Sequence, residues 1–127
     1  MRNMFQRFIA ATAMLIVVSP VMGDALNFDI DSSAELRKVA MYQKNIRKAS
    51  SEQLVIFEVT LQNVDTVPRL YSVIVHIPGV GAGEDFAPQK GDELIEPGAE
   101  ATASVAVLAD TFPTNGYSIV VRPIEER

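Results

Sequence analysis

The chain has 127 residues, 16 acidic and 11 basic side chains, and no cysteine. That length suits one domain rather than two. The missing cysteines exclude a disulfide framework and a lipid attachment site, and the acidic balance argues against nucleic acid, whose phosphates demand a basic face.

The N-terminus is organised as a leader. "MRNMFQR" carries Arg2 and Arg7 without an acid, "FIAATAMLIVV" is apolar or small throughout, and "SPVMGDA" places Pro20 ahead of small residues. This is the layout of a secretory signal peptide, with cleavage expected after Gly23 in preference to Ala25. The apolar run falls short of the roughly 20 residues a bilayer span needs, which disfavours an uncleaved anchor. The expected products are a signal peptide at 1–23 and one exported domain at 24–127, periplasmic or secreted. Four of the five methionines leave with the leader, and the remainder keeps nine basic against 16 acidic side chains, a formal charge of −7.

Along the exported part, "LNFDI" (26–30) alternates Leu26, Phe28 and Ile30 with Asn27 and Asp29, a half-buried strand by its period of two. The next segment, 32–51, behaves differently. Ser32 with Glu35 three residues on is a capping-box pattern. At helical spacing Leu36, Val39, Tyr42, Gln43 and Ile46 gather on one side, and Arg37, Lys44 and Lys48 on the other. The pattern favours a short helix at 34–48, with an extended strand leading into a hairpin as the alternative.

From residue 53 the period is two. Val55, Phe57, Val59 and Leu61 share one face; Asn63, Asp65 and Pro68 break the run; Tyr71, Val73, Val75 and Ile77 share the next face, which Pro78 ends. Residues 78–93 are rich in glycine and read as a loop holding at most a short strand around 85–87. Leu94-Ile95 is a brief strand step before the Pro97-Gly98 corner. Ala101, Ala103, Val105, Val107 and Ala109 then form a small-residue face, and Tyr117, Ile119 and Val121 point inward in the last strand. About seven strands without strand–helix alternation predict an all-β, antiparallel sandwich.

Three stretches carry a family likeness. "FEVTLQNVDTVPRLYSVIVHIPG" resembles the B–C hairpin of bacterial immunoglobulin-like domains of the CARDB type, "LIEPGAEATASVAV" their later corner and long strand, and "NGYSIVVRP" their last strand. The likeness covers roughly residues 54–123, and segment 32–51 departs from it. It implies an immunoglobulin-like sandwich used for adhesion, assembly or spacing, with no catalytic residues to transfer.

Candidate chemistry is sparse. His76 is the sole histidine and lies by alternation on the solvent face, without a sequence neighbour to complete a nucleophile–base pair. One histidine and one retained methionine cannot build a zinc or copper site. Asp29, Asp31, Glu84, Asp85, Asp92 and Glu93 offer oxygen ligands, but without EF-hand spacing. Adjacent carboxylates such as Glu84 and Asp85 point to opposite faces of a strand, which removes them as an acid–base pair. "GVGAG" lacks the Lys-Ser/Thr and the helix of a phosphate loop.

The unusual feature is charge. Residues 34–51 carry five cations and one acid, whereas 52–127 carry four cations and 12 acids. Arg37, Lys38, Lys44, Arg47 and Lys48 are therefore the candidate partner-binding residues. The sequence leads to an exported non-enzymatic module, without cofactor, that binds another envelope or secreted protein. A glycan-binding accessory domain using the 78–93 loop and Phe86 is one alternative, and a membrane-surface module using the basic 37–48 segment is the other.

Overall fold

A computed structural model describes residues 16–19, 25–45, 53–89, 93–109, 113 and 116–124. Residues 1–15 and 20–23 of the expected leader, and Asp24, Arg47 and Lys48 of the expected exported domain, lie outside the described residues. The elements are all strands: β1 Ile16–Ser19, β2 Ala25–Ile30, β3 Ala34–Asn45, β4 Gln53–Asn63, β5 Tyr71–Ile77, β6 Gly81–Ala87, β7 Glu100–Leu108 and β8 Tyr117–Pro123. They form two four-stranded sheets, ordered β1-β3-β4-β7 and β2-β8-β5-β6. This is an all-β sandwich.

The alternation predicted for β4, β5, β7 and β8 is the alternation observed. Val55, Phe57, Val59 and Leu61 meet Tyr71, Val73, Val75, Ala103, Val105, Val107, Tyr117, Ile119 and Val121 in one core between the sheets. The rings of Phe57 and Tyr117 cross from sheet to sheet with centroids 5.1 Å apart at 54°, a tilted arrangement that adds to their area burial.

Three expectations are corrected. Segment 34–45 is the strand β3, not a helix. Its ladder with β4 shifts register between Leu36 and Lys38, leaving Arg37 as the extra residue of a β-bulge. Before the bulge Ala34 and Leu36 face inward; after it Val39 and Met41 do. The phase change inserts a three-residue step into a two-residue period, and the result imitates a helical stripe. A turn precedes the strand in place of the expected capping box: Ala34 N–H donates to Asp31 O at 3.0 Å, Ser33 N–H and Oγ both donate to the Asp31 carboxylate, and Glu35 lies in β3 opposite Gln62.

The glycine-rich stretch also holds a seven-residue strand, Gly81–Ala87, longer than the short one expected around 85–87. After a tight turn at Pro78-Gly79, with Val80 N–H donating to Ile77 O and Gly79 at φ 77°, β6 pairs antiparallel with β5 from Ile77↔Gly81 to Tyr71↔Ala87. Third, the sandwich is not wholly antiparallel. The ladder joining β2 to β8 is parallel, with Phe28 opposite Ile119 and Ile30 opposite Val121.

The Pro97-Gly98 corner repeats the turn chemistry of Pro78-Gly79. Ala99 N–H donates to Glu96 O, and Gly98 takes φ 85°, the positive value that the third residue of a type II turn requires. The corner docks on the end of β4 through Gly98 N–H to Asn63 O and Asn63 N–H to Ala99 O.

Candidate binding surface

The two long sides of the sandwich differ. On one side β6, an edge of its sheet, lies against β7, an edge of the other. Gly83 permits the approach, because a Cβ there would collide with the backbone oxygen of Ala106. The Asp85 carboxylate then accepts the Ser104 N–H at 2.8 Å. This contact covers two sheet edges at once, the usual liability of open sheets.

The other side is bounded by the edge strands β2 and β1, with β3 next to β1. β2 has six residues, a register irregularity between Ala25 and Asn27, and partly buried Phe28 and Ile30 packed on the core. β3 is longer, and beyond its bulge it runs in unbroken register with β4 from Lys38↔Thr60 to Asn45↔Gln53. Its far edge carries β1, antiparallel, with Ile16↔Tyr42, Val17↔Met41, Val18↔Ala40 and Ser19↔Val39.

The candidate cations divide on this strand. Arg37, at the bulge, stands 3.4 Å from Glu35 and 3.6 Å from Glu100. These acids compensate its charge locally. Lys38 and Lys44 are exposed on the outer face, and among the described residues neither joins an ion pair. Between them lie Ala40 and Tyr42, whose hydroxyl donates to Glu58 at 3.3 Å. Burial and the nearby Glu58 carboxylate push the Tyr42 phenol above its ordinary value.

The carboxylates considered as ligands are engaged elsewhere. Asp29 accepts Arg122 at 2.6 Å, Asp31 accepts Ser33, Glu84 accepts Ser72 Oγ at 2.8 Å, and Asp85 accepts Ser104 N–H. Glu84 and Asp85 do diverge across β6. Glu93 is exposed, and Asp92 lies outside the described residues. No three acidic or histidine side chains among the described residues gather to hold a metal ion. His76 sits exposed on the outer face, opposite Ser118 in the register.

One polar cluster at the end of the sandwich has no signal in the sequence. Asn63, fully buried, donates its amide to Val67 O at 2.9 Å and Ile95 O at 2.7 Å, while its Oδ1 accepts the Asp65 N–H. Asp65 in turn takes two hydrogen bonds from Arg69, which holds its carboxyl below the ordinary value. Arg69 bridges Ile95 through paired backbone hydrogen bonds. Nearby, the Tyr71 hydroxyl meets Ser33, and burial raises its phenol. These contacts fasten loops to the core.

No protein-family model, curated protein or solved structure matches the chain.

Proposed function

We propose that this chain is a small exported, non-enzymatic module of immunoglobulin-like type that mediates protein–protein interaction or assembly in the cell envelope. The observation that carries the reading is the asymmetry of the sandwich. One side is sealed by β6 against β7, while on the other the long strand β3 carries only the four-residue β1 on its outer edge, and its exposed lysines have no ion-pair partner among the described residues. Sheet edges of this kind take up extended segments of partner proteins through backbone hydrogen bonds. Among the described residues, His76 and the acidic side chains do not gather into a common cluster.

The glycan alternative weakens because the middle of its loop is the strand β6, which holds Phe86 as an exposed ring without an aromatic companion on that strand. The membrane alternative weakens because Arg37 is already matched by Glu35 and Glu100.

The test is affinity capture from the native envelope with the processed protein, run beside a Lys38→Glu/Lys44→Glu variant and a broad hydrolase panel. The expected result is one partner at constant stoichiometry, lost on charge reversal, and no turnover. Turnover abolished by His76→Ala would overturn the reading.

A further inference from the structure

We infer that the processed protein receives an extended segment of another protein as an added antiparallel strand on the β3 edge, between Lys38 and Asn45, and that this segment carries acidic side chains facing Lys38 and Lys44. The inference rests on the export reading, in which removal of residues 1–23 takes β1 away.

The first support is the occupied edge itself. Four residues of the leader region lie in regular antiparallel register on Val39, Ala40, Met41 and Tyr42. The β3 backbone is therefore already shaped to accept a strand there. Cleavage after residue 23 deletes the occupant and leaves every core residue of the sandwich in place, since the core runs from Ala34 to Val121. What remains is an eight-residue edge in unbroken register, Lys38–Asn45, with its outward backbone groups unpaired. Unpaired edges of this length invite pairing.

The second support is the side-chain pattern. Val39 and Met41, 1% and 4% exposed with β1 in place, face the core. The outer positions of the same edge are Lys38, Ala40, Tyr42 and Lys44. A strand added here has its inward residues beside Val39 and Met41 and its outward residues beside the two lysines. Apolar residues inward and carboxylates outward complete both faces, because directly opposite pairs of unlike charge stabilise a ladder and like pairs weaken it.

The same pairing rule decides against a second copy. Two β3 edges paired symmetrically about Met41 would set Lys38 against Lys44 at both ends of the ladder. The lysines that deter self-association thus select an acidic strand.

The test uses the processed protein isolated from the envelope, with intact mass fixing its N-terminus, and the full 127-residue chain beside it. The probes are fluorescent eight-residue peptides alternating valine with glutamate, valine with lysine, and valine with glutamate but N-methylated at alternate amides. The processed protein should bind the glutamate peptide roughly tenfold tighter than the lysine peptide, lose the N-methylated one, and invert its preference in Lys38→Glu/Lys44→Glu. The full chain, with β1 in place, should bind all three weakly. Equal binding of N-methylated and plain peptides, or a preference untouched by charge reversal, overturns the inference while leaving a partner found by envelope capture intact. An unprocessed N-terminus overturns both, and the mass identifies that case. A concentration-dependent dimer of the processed protein would show that a second copy takes the edge instead.

Discussion

The phenolic oxygen of Tyr71 lies 2.9 Å from the carbonyl oxygen of Ser33, 38 positions earlier in the chain. That bond ties the first strand of the second hairpin to the turn that launches β3. The ring is fully buried, so the hydroxyl has no water to replace its partner. Tyr71→Phe should lower stability by about 1 kcal/mol, since Ser33 O keeps its second donor, the Val64 N–H at 2.9 Å. Urea unfolding with an unchanged m-value would check it.

Asn63 is the more critical polar group. Its three side-chain hydrogen bonds gather Asp65, Val67 and Ile95 around the end of β4. Asn63→Ala takes a donor from Val67 O and from Ile95 O, which keeps the Arg69 N–H, and leaves the Asp65 N–H without its acceptor; it should cost about 2 kcal/mol, measured by chemical denaturation. Amide exchange should quicken first in 64–69 and 93–99.

Gly83→Ala should be damaging for a steric reason alone. The new methyl meets Ala106 O, a backbone atom that cannot swing aside. A loss of about 2 to 3 kcal/mol is expected, with the β6–β7 side opening. Asp85→Ala removes only the hydrogen bond to Ser104 and should cost about 1 kcal/mol. If the two variants were equally mild, the sealed side would not depend on close approach.

Acid should weaken the fold through Asp31 and Asp65. Hydrogen bonds from Ser33 hold the Asp31 carboxyl below its ordinary value, and those from Arg69 and Thr66 do the same for Asp65. A carboxyl depressed in the folded state contributes stability above its unfolded pKa of about 4 and loses it as pH falls through the folded value. Stability should therefore decline below about pH 4. An Asp31→Asn/Asp65→Asn variant should show a shallower acid limb in pH-dependent thermal melts.

Where the period of two runs unbroken, as in β4, β5, β7 and β8, alternation alone identifies the inward residues. β3 imitates a helix for a local reason, the bulge at Arg37, which moves the inward phase from Ala34 and Leu36 to Val39 and Met41. β6 is obscured because Gly83 answers a contact with β7, far along the chain, rather than a turn. The parallel pairing of β2 with β8 joins the two ends of the domain and leaves no trace in local pattern. The cations of the candidate surface are visible in the sequence as charge. That Arg37 is matched by Glu100 while Lys38 and Lys44 line one strand edge follows only from the register.

The central claim is that export uncovers the β3 edge for a partner strand. Amide hydrogen exchange across Lys38–Lys44 tests it most directly, in the processed protein, the full chain, and the processed protein with the valine–glutamate peptide. The alternate amides that point away from β4 should exchange rapidly in the processed protein and become protected in the other two. Slow exchange of those amides in the processed protein alone would contradict the account.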